Sequence, residues 1–439
     1  MSEVTASPRP TSIVQVATAS LIGTSIEWYD FFIFGTGAAL VFPKLFFPTL
    51  SPISGQLASF LVFWVGFLGR PLGGIIFGHY GDRIGRKRML VLTILLMGLG
   101  TFLIGALPSY ATIGVLAPIL LIVLRLCQGI AVGGEWGGAV LMATEHAPAH
   151  RRGFFGSWPQ IGVPVGVILS SLIFNAVIAW FPGEGLLNIG WRIPFLASII
   201  LVAVGLFIRM RITETPDFEQ LKENQEIDPV PVISVIRHNW KTVLLAAGSF
   251  FVSNGSFYIF ITFLVSYATG ILHVPASYVL NATLIGSVIS LAVLPLAGAW
   301  TDRVGRLPVY LGGAVMMALV AFPLFWLVDM KSPLTIILGA CLGQVALSLM
   351  YGPQAAFFSE LFGANVRYSG ASLGYQAASV LAGGLAPTIA TTLLLWSGNA
   401  SWTIALYIIV MSAITFVSVY LAGETRPAAA PAASESAGD

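Results

Sequence analysis

Apolar residues run through this chain in long blocks, broken at nearly regular intervals by short polar stretches. Read between those breaks, the blocks cover residues 14–41, 57–80, 89–107, 115–143, 153–180, 191–208, 242–270, 277–299, 308–328, 334–359, 369–396 and 403–422. Each is close to or above the roughly 20 residues that an α-helix needs to cross a bilayer. The pattern predicts an all-α chain of twelve membrane-spanning helices, the longer ones tilted or extended into the head-group layer. The first block is no cleavable signal, because it far exceeds an h-region of about 7–15 residues and holds Glu27 and Asp30.

Composition narrows the class. Of 439 residues, 56% are hydrophobic and 9% charged, and the mean hydropathy is +0.88. A soluble domain carries about 25% charged residues, so a chain this poor in charge could not cover a water-facing surface. Disordered, fibrous and disulfide-stapled classes fall away too, since the 47 glycines follow no fixed period and Cys127 and Cys341 are the only cysteines. A net charge of +2 offers no footprint for nucleic acid.

The placement of the charges is more informative than their sum. With the N-terminus in the cytoplasm, that side holds 16 of the 21 Lys and Arg residues. The outer side holds Lys44, Arg192 and Lys331, and Arg70 and Arg125 lie inside spans. The positive-inside rule then puts both termini in the cytoplasm. The chain divides into an N-terminal segment (1–13), a six-helix half (14–208), a polar connector (209–241), a second six-helix half (242–422) and a tail (423–439). The connector's Asp217–Glu226 part suggests a short surface helix, and the tail's Ala/Pro/Ser content predicts disorder.

The halves echo each other. Gly78-His-Tyr-Gly-Asp82-Arg83-Ile-Gly85-Arg86 recurs as Gly298-Ala-Trp-Thr-Asp302-Arg303-Val-Gly305-Arg306, and Glu145 with Arg152 is echoed by Glu360 with Arg367 at the same spacing of seven. Both pairs fall on the cytoplasmic side, giving a parallel repeat about an axis along the membrane normal, with a central site between halves that rock. In the loop, the aspartates suit the N–H groups of a neighbouring helix end, the arginines suit nearby acids, and the glycines permit the tight turn. Such contacts would close the inner side; the plainer alternative is a positively charged loop that only sets topology.

These residues resemble the major facilitator superfamily, and specifically its metabolite:proton symporters. The resemblance rests on Glu27-Trp-Tyr-Asp-Phe31, Gly69-Arg-Pro-Leu-Gly-Gly74, Gly81-Asp-Arg-Ile-Gly-Arg-Lys-Arg88, Arg125-Leu-Cys-Gln-Gly129, Gly133-Gly-Glu-Trp-Gly137, Trp191-Arg-Ile-Pro-Phe195 and Arg367-Tyr-Ser-Gly-Ala371. It implies an alternating-access carrier for shikimate, di- or tricarboxylates, or zwitterions such as proline and betaines, moved together with protons.

Five ionisable residues sit well inside the blocks: Glu27, Asp30, Arg70, Arg125 and Glu135. Facing lipid at the bilayer centre, each would cost at least about 2.5–3.5 kcal/mol, so partners or a water-filled cavity are required. At about 1.5 Å per residue Asp30 and Arg125 lie at similar depth, with Glu27, Gln128 and Arg70 in the next layer. Asp30 is the candidate coupling carboxyl and Arg125 its switchable partner, as the resemblance also implies; the alternative is a static salt bridge. Arg70 suits a substrate carboxylate through its planar fork, or pairs with Glu27. Glu135, nearer the cytoplasmic edge, suits a gate pairing with Arg83, Arg86 or Arg152 more than a substrate contact.

The second half carries no charge deep in a block. It offers Asn254, Tyr258, Gln344, Tyr351, Gln354, Tyr375 and Gln376, which together suit a site that reads a substrate's shape and hydroxyls, or individually serve as interhelical glue. Trp158 and Gln160, beside Pro159 and Pro164, join the candidates in the fifth block, where the prolines mark hinges or fixed kinks.

No nucleotide loop, metal-ligand cluster or nucleophile elbow is present in the sequence. The resemblance, together with two intramembrane arginines that suit an anion, implies proton-coupled uptake of a small organic acid such as shikimate or a di- or keto-carboxylate. A zwitterionic osmolyte is the alternative cargo, and a channel or transporter-like sensor the alternative class. The expectation includes a monomer in the inner membrane, with no cofactor beyond the proton gradient.

Overall fold

The computed structural model describes residues 13–84, 86–133, 136, 140, 143–144, 147–211, 235, 237–362 and 367–426. Twelve helices account for the apolar blocks. The first half holds α1 (Ile13–Leu40), α2 (Pro52–Ile84), α3 (Arg86–Ala106), α4 (Leu116–Val132), α5 (Arg152–Trp180) and α6 (Arg192–Arg211). In the second half, α7 runs in pieces (Trp240–Ser249, Phe251–Tyr258, Ile259–Phe263, Leu264–Gly270), followed by α8 (Ala276–Val304), α9 (Arg306–Asp329) and α10 (Pro333–Leu361). Helix α11 is also segmented (Arg367–Ala378, Ser379–Gly384, Ala386–Trp396), and α12 (Trp402–Ala422) ends the bundle.

Helices are what these blocks must form, because lipid offers no hydrogen-bond partner to an open backbone. Nine helices among the described residues are long and apolar enough to cross a membrane, and Val91–Ala106 and Leu116–Val132 are shorter apolar ones. Large apolar side chains such as Leu95, Leu99 and Leu103, or Leu319 and Trp326, stand exposed on the outer faces, where lipid tails rather than water suit them. Helix bounds agree with the hydropathy blocks to within a few residues; for the fourth block, the described part of the helix closes at Val132, with Gly133 as its C-cap.

Helix pairing places the site. Within the first half α2 packs on α4 and α1 on α5; within the second α8 packs on α10 and α9 on α12. The halves meet along α5 with α8 and α10, α1 with α7, and α2 with α11. Close backbone approach needs glycine at α2–α4: a Cβ on Gly129 would strike the Gly66 carbonyl oxygen, and one on Gly133 that of Arg70. This approach sets Arg70 and Arg125 side by side on adjacent helices. Both segmented helices, α7 and α11, carry a π-helical stretch (Ile259–Phe263 and Ser379–Gly384), a local widening frequent at functional sites.

At the C-terminus Glu424, Thr425 and Arg426 are tied down by hydrogen bonds, with one acid facing the free N–H groups of a helix start. Residues 427–439 and the expected Asp217–Glu226 helix lie outside the described residues.

Candidate functional site

Two adjoining cavities lie between the halves. The first, of about 400 Å³, carries the charge: Glu27, Arg70, Trp136, Gln160 and Gln376 line it together with Thr24, Trp28 and Tyr375. The second, of about 480 Å³, holds no charged side chain; Ser253, Asn254, Ser287, Ser290, Gln344, Ser348, Tyr351 and Tyr375 face Trp28, Phe250 and Phe257 across it. Trp28 and Tyr375 belong to both walls.

The charged cavity has unused donors. Arg70 Nε, Trp136 Nε1 and Gln160 Nε2 are buried without a hydrogen-bond partner, as is the acceptor Gln376 Oε1. Buried polar groups are normally satisfied, so three orphaned N–H groups around one cavity describe a place for an anion's oxygens. Gln376 Nε2 donates to the Gly133 carbonyl at 3.4 Å, joining α11 to the end of α4.

Beside this cavity, the arginines are held by rings. The Arg70 guanidinium lies 4.5 Å from the ring centres of Phe31 and Phe67, and that of Arg125 lies 4.1 Å from those of Phe31 and Phe34. Cation–π contact of this kind strengthens when desolvated. Phe31 serves both cations, one helical turn from Glu27 and next to Asp30. Arg125 Nη1 donates to Gln128 Oε1 at 3.2 Å, while its Nε and Nη2 have no partner. Gln128 Nε2 donates to Thr101 Oγ1 at 2.7 Å, and Thr101 spends its own proton on the Met97 carbonyl. Asp30 is 2% exposed with both carboxyl oxygens unpartnered. The static Asp30–Arg125 salt bridge is not formed, since neither carboxyl oxygen of Asp30 has a hydrogen-bond partner.

Contacts between the halves flank the cavities on both sides. On the side bearing the repeated Asp-Arg loops, Trp136 stacks on Tyr375 at 3.9 Å and meets Phe358 edge-on. There α5 and α8 touch at Gly153 and Gly298. Asp302 accepts the Gly153 and Phe154 N–H groups at 2.8 and 2.9 Å, closing the N-terminus of α5. On the opposite side Trp64 Nε1 donates to the Val380 carbonyl at 3.0 Å, Asn175 to Asn281 at 2.9 Å, and Phe31, Phe63, Phe67 and Tyr258 form an aromatic plug.

The second loop copy is a charge relay. Arg306 bonds Asp302 at 2.8 Å and grips Glu360 through two parallel bonds of 3.0 and 3.2 Å. Gly305 makes the turn with φ +99°, a left-handed conformation that favours glycine. Glu424 then caps α9 by accepting the Arg306 and Leu307 N–H groups, and Thr425 donates to Glu360. Arg303 offers its carbonyl to Arg426. In the first copy, Gly78, Asp82, Arg83 and Arg86 sit on helices whose side chains are outside the described residues, as is that of Arg367; Gly85, Glu135 and Glu145 lie wholly outside them. Arg152 begins α5 with its Nε buried and unpartnered.

Of the sequence-derived candidates, Glu27, Arg70, Gln160, Tyr375 and Gln376 line the charged cavity, and Asn254, Gln344, Tyr351 and Tyr375 the neutral one. Arg125, Gln128, Trp158, Tyr258 and Gln354, expected at the substrate, line neither. Arg125 and Gln128 sit behind Phe31, Tyr258 belongs to the plug, Trp158 packs on Phe154 and Phe155, and Gln354 is fully buried with its amide unpartnered. Missed were Trp28, Trp136, Ser253, Ser287, Ser290 and Ser348, and at the relay Glu424 and Thr425. A signal existed for Ser348, which lies on one helical face with Gln344 and Tyr351 at i, i+4, i+7.

Two six-helix halves enclosing a polar site have the architecture of a secondary transporter. The Major Facilitator Superfamily profile matches residues 12–387, and the chain belongs to that family as a multi-pass membrane protein. The shikimate transporter of Escherichia coli K12 is 40% identical over 417 residues, covering 94% of this chain and 95% of that relative. The proline/betaine transporter of the same strain is 35% identical over 435 residues, covering 95% of this chain and 86% of its own. Among solved structures, a D-xylose–proton symporter superposes with a TM-score of 0.72 at 20% identity, over 95% of this chain and 98% of that one.

Proposed function

We propose that this protein imports a small organic acid together with protons, with its Asp-Arg loops facing the cytoplasm of a bacterial inner membrane. One observation carries the cargo: three buried N–H donors without protein partners, on Arg70, Trp136 and Gln160, line a single cavity. A substrate carboxylate satisfies them, and the guanidinium supplies the charge-assisted bonds. The relatives at 40% and 36% identity, a shikimate transporter and an inner-membrane metabolite transport protein, support this reading. Asp30 takes the proton, since a buried carboxyl without donors is tolerated neutral and penalised as an anion. Arg125, one ring away from Arg70, supplies the opposing charge when the proton leaves.

A second cargo has its own support. Glu27 and the rings of Trp28, Trp136 and Tyr375 would suit a quaternary ammonium, so a betaine fits the same cavity. Uptake of labelled shikimate into proteoliposomes under an inward proton gradient, with competing dicarboxylates, keto acids, proline and betaine, separates the two. Inhibition by carboxylic acids is expected; inhibition by the zwitterions alone would overturn the organic-acid reading.

A further inference from the structure

The neutral cavity has a recognition logic of its own. A ligand whose carboxylate meets Arg70 extends past Trp28 and Tyr375, the residues common to both walls, into a space without a single charged side chain. A second carboxylate there would be buried unpaired, which is costly. Hydroxyls are accommodated, because the polar lining consists of groups that both donate and accept. Phe250 and Tyr375 stack on each other at 4.5 Å and form a rigid aromatic edge to this space.

Three of the polar groups are joined. Ser348 Oγ donates to Ser290 Oγ at 3.1 Å, and Ser290 Oγ lies 3.2 Å from the Gly286 carbonyl and 3.4 Å from Gln344 Oε1. With one proton to give, Ser290 serves only one of those two acceptors at a time, so the chain keeps hydrogen-bonding capacity for a ligand. Gly286 sets its shape, since a Cβ there would lie 2.9 Å from Gln344 Cγ. All four residues stand on α8 and α10 of the second half, which pack on each other.

We infer that Ser290, Gln344 and Ser348 read the hydroxyls of a ring-shaped monocarboxylic acid, with Gly286 holding Gln344 in register, and so determine which acid is carried. This rests on the organic-acid reading above. The test compares shikimate with cyclohex-1-ene-1-carboxylate, the same ring and carboxylate without hydroxyls, as substrates of the reconstituted full-length protein. The wild type should prefer shikimate, and Ser348→Ala or Gln344→Leu should each reduce that preference roughly tenfold, about one hydrogen bond's worth, while uptake of the deoxy acid persists. Gly286→Ala keeps all three polar groups and should reduce the preference in the same direction by displacing Gln344. An unchanged preference with both uptakes falling together, alongside lower thermal stability, would show that the chain is only glue between α8 and α10 and overturn the inference. A wild type that carries zwitterions and neither acid would instead overturn the organic-acid reading, and this inference with it.

Discussion

The two cavities share Trp28 and Tyr375 and differ in nearly everything else. One is walled largely by first-half helices and holds Glu27 and Arg70 among unsatisfied donors; the other is walled mainly by α7, α8, α10 and α11 with Ser, Asn, Gln and Tyr. An internal repeat has thus kept its scaffold and diverged in chemistry. Charge is concentrated where aromatic rings can hold it: Phe31 lies against both guanidinium groups, so two cations and two acids sit together without opening the bundle to water. The neutral half carries no such load and is free to match the ligand's shape. The contrast teaches that energy coupling and selectivity can be varied separately on this frame.

The comparison breaks most sharply at Arg70. Arg70→Gln should abolish acid uptake, since truncating one side of a buried charge pair costs about 2–5 kcal/mol, or at least thirtyfold in apparent affinity. Arg70→Lys keeps the charge and loses the fork, and should raise KM far more than it lowers the maximal rate. Initial-rate uptake in proteoliposomes measures both, and an Arg70→Gln variant with wild-type KM would remove the carboxylate site.

A smaller effect is expected at the relay. Asp302→Ala removes the acceptor of two bonds to α5 and the partner of Arg306, roughly 1–3 kcal/mol for a charged group. Amide hydrogen exchange over residues 152–158 should then accelerate about tenfold or more, and unchanged exchange would make the loop a topology signal only.

The smallest effect concerns the strap. Burial acts to push the Glu424 carboxyl up, but the backbone N–H groups of Arg306, Arg426 and Leu307 and the Arg306 charge outweigh it and hold the group below its usual range. Its contribution is therefore present at neutral pH and is lost only as pH falls through that lowered value, beneath the ordinary carboxylate pKa of about 4.3. Protection of the Arg306, Leu307 and Arg426 amides, taken relative to unstructured peptide at each pH, should hold from neutral pH down to that range and fall below it; Glu424→Gln should remove that change in protection.

Much of this architecture was legible because lipid imposes a length and a polarity on every crossing segment. The same rule made Glu27, Asp30, Arg70 and Arg125 conspicuous as exceptions, and the structure gathers them around one phenylalanine. Ser290 and Ser348 were not conspicuous, since serine satisfies itself on the preceding helical turn and is ordinary inside apolar helices. The rise per residue gives spacing along a helix but not azimuth, and azimuth decides that Arg70 lines the cavity whereas Arg125 stands behind Phe31.

The central claim is that Asp30 couples the proton gradient to cargo movement while the rest of the site binds the cargo. The most direct measurement pairs uphill accumulation of labelled acid, driven by an imposed proton gradient, with gradient-free exchange in the same Asp30→Asn proteoliposomes. The account predicts that accumulation disappears while exchange continues near the wild-type rate. Accumulation retained in Asp30→Asn would contradict it.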